Sequence, residues 1–288
     1  MTNTPKVSIL TSCYNHENFV EDLVRSVYGQ QGVEFEFLVI DDGSSDRSVE
    51  VLKLLSLEYG FYFEAQENIG FTKTLNKLLG KAQGEYLIVI ASDDVLAPDR
   101  LKLQVNFLDN NVSHALVCGD VVELDEAGRM GSKISYPFEE GELFSRLLRK
   151  ELFILAPTVM VRKEVIIDLG GWDAELAIED WDMWLRVSEK YSIGYLDQVF
   201  AFYRIHSGNS HGNYQKMYLE MERTLEKFQS NAEYPAAKVK LYADAASYLS
   251  GIKGYKGLAW TYLMKAMNLG SFKIVPKILF KLIFIRKA

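Results

Sequence analysis

The sequence predicts an α/β fold built on a mostly parallel sheet flanked by helices, with a helical region appended at its C-terminal end. Three observations carry this. Short apolar runs alternate with helix-period stretches through the first hundred residues. Each apolar run ends in a polar cluster. From about Gly212 onward the strand signals stop and the pattern is helical. With 288 residues, 48% of them apolar, the chain can bury a large core, and neither its charge nor its composition suggests disorder.

The first apolar runs are Val7–Thr11, Phe35–Ile40, Phe61–Ala65 and Tyr86–Ile90. Such short, nearly unbroken runs read as buried strands. Between them His16–Gly29, Ser45–Leu57 and Phe71–Lys81 carry helical periodicity. Alternation of this kind implies βαβ units and parallel neighbours. Ligands of such sheets bind beyond the carboxyl ends of the strands. The residues at those ends are Ser12, Cys13, Tyr14 and Asn15; Asp41, Asp42, Gly43 and Ser44; Glu67, Asn68 and Gly70; and Ser92, Asp93 and Asp94. Carboxylates, amides and glycines on one rim suit a nucleotide.

Further along, Leu116–Leu124 reads as a strand, Asp125–Gly128 as a turn and Glu142–Arg149 as a helix. Pro157–Val161 reads as a strand, and the helix near Lys163–Leu169 is stopped by Gly170 and Gly171. Ile178–Lys190 is a helix, and Ile193–Leu196 and Val199–Tyr203 are strands. The expected division is a catalytic domain over residues 1–211 and a helical region over 212–288.

Charge is unevenly distributed. The net charge of −7 hides a stretch, Pro235–Ala288, with ten Lys/Arg against one Asp, or +9. The remainder carries 22 basic and 38 acidic residues, or −16. An acidic body argues against nucleic-acid binding, and a basic tail suits an anionic surface. Only Cys13 and Cys118 are present, in no metal-binding spacing, which fits a reducing compartment. The polar segment Met1–Lys6 precedes no signal-like run, and no apolar stretch reaches the 18 residues of a spanning helix.

Four motifs carry chemistry. In Asp41-Asp42-Gly43-Ser44-Ser45-Asp46 the bland role is a capped strand-to-helix turn. That role leaves two adjacent acids at a buried strand end unexplained, and a carboxylate there can accept from a base N–H or a ribose hydroxyl. In Ser92-Asp93-Asp94 two acids repel unless a cation sits between them or they point apart. A divalent ion, Mg²⁺ or Mn²⁺, shared with substrate phosphates resolves the conflict. The alternative is a capped turn ahead of Pro98. In Ile178–Arg186, Trp181, Trp184 and Leu185 share one helical face and Glu179, Asp182 and Arg186 another; the plain alternative is an amphipathic helix with acids at its dipole-favoured start. Tyr203-Arg204-Ile205-His206 follows a strand and precedes a polar loop, Ser207–His211. His16 and His114 have no evident role.

The run Val7–Asn15, then Leu38–Asp46, then Asn68-Ile69-Gly70, then Gly84-Glu85-Tyr86 leading to Ser92-Asp93-Asp94, resembles the family-2 inverting glycosyltransferases in motif order and spacing, over roughly residues 6 to 210. The resemblance implies a GT-A fold with a Rossmann-like sheet, and transfer of a sugar from a nucleotide-sugar, a UDP-sugar above all, to a hydroxyl. It implies that Ser12, Asp42 and, with them, Tyr14, Asn15, Asn68 and Asp93 face the donor. It implies a metal at Asp94, with His206 as a further ligand or diphosphate contact and Arg204 beside it. It makes Asp180, ahead of Glu179 or Asp182, the general base that takes the acceptor proton, with Trp172, Glu179 and Trp181 on the acceptor side. Ser12 and Cys13 stand where many members have proline and threonine.

The last segment, Ser271–Lys287, places Lys273, Lys277 and Lys281 four apart on an otherwise apolar helix, the pattern of an interfacial helix. A helix packed on the body is the alternative. With the resemblance it implies a peripheral protein on the cytoplasmic face of a membrane, acting on a glycan or polyprenyl-linked saccharide. Two other readings are a nucleotidyltransferase, which wants a glycine-rich basic loop where Ser12–Asn15 stands, and a non-catalytic nucleotide-sugar sensor.

Overall fold

A computed structural model describes residues 4–139, 143–176, 178–206, 208, 214–272 and 275–284. It divides into two compact units, Met1–Gly141 with Ile154–Gly208, and Glu142–Phe153 with Asn209–Ala288.

Among the described residues, nine strands form the sheet of the first unit. They are β1 (Val7–Cys13), β2 (Phe35–Asp42), β3 (Tyr62–Gln66), β4 (Tyr86–Val89), β5 (Val95–Leu96), β6 (His114–Leu124), β7 (Met130–Ile134), β8 (Met160–Arg162) and β9 (Ser192–Arg204). Their order is β3-β2-β1-β4-β8-β6-β9-β5, with β7 on β6. The run β3-β2-β1-β4 is parallel throughout, as the βαβ alternation predicts. Beyond it the sheet is mixed: β8 is antiparallel to β4 and β6, β6 and β9 are parallel, and β5 and β7 are antiparallel additions.

Every residue of β1 is buried, because helices cover both faces of a parallel sheet. On α1 (Val20–Tyr28) the buried side chains Val20, Leu23, Val24 and Val27 recur at helical spacing and meet the core that contains Val7, Ile9, Val39 and Ile88. Next come α2 (Ser48–Tyr59) and α3 (Phe71–Leu79). α2 stops at Gly60, whose φ of 77° suits glycine.

Two expectations change. The strand expected at Pro157–Val161 begins as a 3-10 turn over Ala156–Thr158, and extended pairing starts only at Met160. Proline has no N–H for a sheet ladder, and the Thr158 N–H closes on the Leu155 carbonyl instead. The two strands expected at Ile193–Leu196 and Val199–Tyr203 are one, β9, which follows β6 through register shifts near Asp120.

The first unit also contains α4 (Arg100–Asn110), α6 (Lys163–Asp168) and α7 (Glu179–Ser188). The second contains α5 (Leu143–Leu148), α8 (Tyr214–Glu226), α9 (Tyr234–Leu249), α10 (Lys256–Asn268) and α11 (Val275–Phe284). Ala237, Leu241, Ala245 and Leu249 of α9, and Ala259, Leu263 and Ala266 of α10, are buried. Glu222 of α8 accepts from Lys265 Nζ of α10 at 2.9 and 2.8 Å and from the Tyr242 hydroxyl of α9 at 3.1 Å, tying three helices. On α11, Ile278 is buried and Phe280 is exposed. Lys273 and the side chains of Lys277 and Lys281 lie outside the described residues, as does most of the Ser207–His211 loop. Among the described residues no helix is long and apolar enough to cross a membrane.

Candidate active site

Register builds the site. Cys13 pairs with Asp41 and Asp42 with Gln66, so β1, β2 and β3 end together. Leu10 pairs with Val89, which brings Ser92 and Asp93 up to the same rim. Phe202 of β9 pairs antiparallel with Val95 of β5. Two residues further out in each direction, Arg204 therefore stands across from Asp93.

The turns at the rim are locked to one another. Asn15 adopts a left-handed φ of 56°, which asparagine tolerates. Its amide donates to Ser44 Oγ at 2.8 Å, and its Oδ1 accepts from the Ser45 N–H at 2.8 Å. Buried Asp41 closes the turn by accepting from the Ser44 N–H and hydroxyl. Gly43, at φ 81°, passes so close to Asn68 that a Cβ would lie 2.7 Å from the Asn68 nitrogen. Ser12 is buried, whereas Tyr14 and Asn68 are exposed.

Asp42 is 2% exposed. Its Oδ1 accepts from Gln66 Nε2 and the Ile69 N–H, and its Oδ2 from the Gly70 N–H, each at 2.9 Å. A carboxylate has about four acceptor positions, so Asp42 holds the 66–70 loop and retains capacity for one more donor. Gly70 opens α3, which carries the connection onward. Thr72 Oγ1 donates to the Leu176 carbonyl at 3.0 Å, and Asn76 clasps the Trp172 backbone through its N–H at 3.0 Å and its carbonyl at 2.7 Å. That segment leads into α7, where Asp180 Oδ1 accepts from the Trp181 N–H at 2.7 Å. Buried Asp182 pairs with Arg186, which also donates to the carbonyls of Leu169 and Gly171 and so fixes the Gly170-Gly171 turn. Asp42 and Asp180 are thus joined through α3.

Trp172 and Trp181, expected on the acceptor side, are 5% and 8% exposed, so little of either indole reaches solvent. Glu179 is half-buried; burial first, and the neighbouring Asp180 charge second, push its carboxyl up to about 8.

Sequence reasoning put the ion on Asp94 and His206. The side chains that gather are instead His16, Asp93 and His206, whose candidate ligand atoms all lie within 4.8 Å of one another. His206 Nε2 lies 2.9 Å from Asp93 Oδ2, and His16 Nδ1 lies 2.7 Å from Ser92 Oγ and 3.8 Å from Asp93 Oδ1. Burial, helped by His206 and opposed by Asp93, lowers the His16 pKa. His16 is the functional candidate that sequence reasoning missed. Its signal was its place, three residues past the end of β1 in the polar cluster at the rim.

Asp94 faces another partner: its Oδ1 accepts from the Arg204 N–H at 2.9 Å, and burial and then the Asp93 charge hold its carboxyl well above the usual range. The Arg204 guanidinium, expected near the donor, is buried and engaged. It donates to the Asp93 carbonyl at 2.8 Å, the Asp125 carbonyl at 3.3 Å and Asp22 Oδ2 at 2.8 Å, and it lies 5.0 Å from the Phe19 ring centroid. Asp93 Oδ1 and Asp94 Oδ2 are buried with no hydrogen-bond partner among the described residues. A buried carboxylate oxygen without a partner is costly; Asp93 Oδ1 stands in the cluster with the two imidazoles, where a divalent cation satisfies it, so His16, Asp93 and His206 fit a metal.

The chain matches Glycosyl transferase family 2 over residues 8–170, more than half its length, and belongs to that family. It is a glycosyltransferase. Its relatives include two Bacillus subtilis proteins. EpsE, named as a glycosyltransferase, is 29% identical over 71% of this chain and 74% of its own. TuaG, named for teichuronic acid biosynthesis, is 28% identical over 77% and 91%. A Rickettsia felis relative is longer, and the chain spans 34% of it. In fold the chain is similar to residues 1–349 of S. aureus TarS in complex with UDP-GlcNAc, with TM-score 0.61, 19% identity and coverage of 92% and 89%; it spans 52% of the longer TarS chain. It is also similar to the mannosyltransferase PcManGT of Pyrobaculum calidifontis in complex with GDP-Man and Mn²⁺, with TM-score 0.64, 16% identity and coverage of 96% and 79%. The fold is of the GT-A type.

Proposed function

We propose that the enzyme is an inverting transferase that moves a sugar from a UDP-sugar to a hydroxyl of a glycan or lipid-linked saccharide, with Asp180 as general base and Mn²⁺ or Mg²⁺ at the rim. The observation that carries this is the buried, unpartnered Asp93 Oδ1, gathered with His16 and His206 on the rim that also presents Asp42. Asp93 and His206 would hold the cation. When bound, a divalent ion neutralises the diphosphate and stabilises the charge that develops on it as it leaves. Asp42 offers its remaining acceptor position to a base N–H, and Ser12, Tyr14, Asn15 and Asn68 border the same rim.

The acids of α7 have separate roles. Inversion requires one carboxylate opposite the leaving diphosphate, which takes the acceptor hydroxyl proton as that oxygen attacks the anomeric carbon. Asp180 suits this, because the Trp181 N–H orients it at the helix start. Glu179, with its pKa near 8, stays protonated at neutral pH and spares Asp180 a like charge. Arg204 positions: it holds the Asp93–Asp94 backbone against β9.

The acceptor reading rests on the second unit and on the relative TuaG. Ten cations lie in Pro235–Ala288; Lys240 and Lys265 are engaged by Asp244 and Glu222, and the others, each contributing about 1 kcal/mol where it meets an anionic leaflet, would hold the enzyme at the cytoplasmic membrane face beside a polyprenyl-linked substrate. A panel of nucleotide-sugars, with and without Mn²⁺, scored for nucleoside diphosphate release, tests the class. Metal-dependent UDP release from one donor is expected. Pyrophosphate release from a nucleoside triphosphate, or donor binding with no turnover across glycan and lipid acceptors, would overturn it.

A further inference from the structure

We infer that His16, Asp93 and His206 form a preassembled cation site that takes up its ion without nucleotide and favours nitrogen-seeking divalent ions over Mg²⁺. It rests on the reading of this rim as the donor site, but its geometry stands apart from that chemistry.

Three observations carry it. First, an ion about 2.1 Å from each ligand separates those ligands by roughly 3 to 4.2 Å. The three groups already lie within 4.8 Å of one another, so small side-chain rotations close the set. Second, Asp93 Oδ1 is buried without a hydrogen-bond partner and lies 3.8 Å from His16 Nδ1. Third, the set is braced. The His16 N–H donates to Ser48 Oγ at 2.9 Å, Asp93 is held through its carbonyl by Arg204, and the His206 ring packs 4.8 Å from Phe19 and 5.4 Å from His16, centroid to centroid. A site so fixed needs no phosphate to assemble it. The nearby Arg204 charge is matched by Asp22, which accepts from its guanidinium.

The donor set sets the preference. Two imidazoles and one carboxylate suit transition metals, whereas Mg²⁺ prefers oxygen ligands and keeps its waters. Affinity in such a site rises from Mn²⁺ to Co²⁺. His16 is then a ligand that replaces its Ser92 contact with the ion.

The test uses the full chain and metal alone. Co²⁺ is titrated by visible absorption and Mn²⁺ by loss of its free EPR signal, without nucleotide. Both ions are expected to bind, Co²⁺ the tighter, and a hundredfold excess of Mg²⁺ is expected to displace neither. His16→Gln, checked for an unchanged melting temperature, is expected to weaken binding at least tenfold. Because that variant could lose its fold, the wild-type protein gives a second readout: pulsed EPR of bound Mn²⁺ is expected to count two imidazole nitrogens. One nitrogen or none, equal binding by a folded His16→Gln, or facile displacement by Mg²⁺ would overturn the inference. Ion binding that appears only with UDP would also overturn it while leaving the transferase reading intact. Ion binding without any UDP binding would support the site and sink the donor reading.

Discussion

Asp42→Asn separates the loop-holding role of this residue from any contact with the base. In the native rim the Ile69 and Gly70 amides donate to opposite oxygens of one carboxylate. An asparagine has one oxygen and one NH₂. Whichever way it turns, one of those amides faces another donor. Gln66 cannot relieve the clash by flipping, because its Oε1 accepts from Lys77 Nζ at 2.7 Å and its Nε2 also donates to Thr74 at 2.9 Å. A hydrogen bond to a charged group contributes about 1.5–3 kcal/mol net. Ile69 is 44% exposed, so water can reach the loop, and the loss should fall near the low end, about 2 kcal/mol. For a unit of this size that is roughly 4–8 °C in melting temperature. Calorimetry with and without UDP measures the shift, and hydrogen exchange at the Ile69 and Gly70 amides locates it. Faster exchange at both positions and a lower melting temperature without ligand are expected. An unchanged melting temperature with both amides still protected would refute the reasoning.

Other perturbations probe the rest of the site. Asp180→Asn should retain UDP binding by calorimetry and lose transfer by about 10²–10⁴-fold; wild-type turnover would remove Asp180 as the base. Gly43→Ala should destabilise by more than 1 kcal/mol on the order expected for a left-handed glycine, with added strain from the 2.7 Å approach to Asn68, read as a lower denaturation midpoint. The Glu179 pKa is raised above its unfolded value, so the folded protein holds an extra proton between about pH 4.5 and 8. Stability associated with that proton is full below pH 4.5 and is lost as pH rises through 8. Glu179→Gln should therefore melt higher relative to wild type at pH 8.5 than at pH 5; parallel melting curves at the two pH values would contradict this.

The parallel half of the fold was legible because βαβ crossovers leave a strong signature: Val7–Cys13 and Phe35–Asp42 are apolar runs that stop at polar ends. The rim acids were legible for the same reason. Less visible was what each acid faces. Asp93 and Asp94 are adjacent in sequence, yet one meets two imidazoles and the other a backbone amide of β9. That split follows from β5–β9 pairing, a long-range register that no local pattern encodes. His16 escaped notice because a single histidine carries no periodicity, and its partners lie 76 and 77 residues away at Ser92 and Asp93. Arg204 looked available to a ligand because its partners, Asp22 and Asp125, are remote in the chain.

The helical unit is not a simple tail. Its first helix, α5, is drawn from the interior of the sequence, with Leu143, Leu147 and Leu148 buried, Phe144 against Phe228, and Arg149 paired with Glu233. Cleaving the chain after residue 208 would strand this short helix on the wrong fragment, its leucines stripped of their companions. A shortened enzyme prepared that way should aggregate for reasons unrelated to its catalytic rim, and excising residues 142–153 together with the tail is the cut that respects how the chain is threaded.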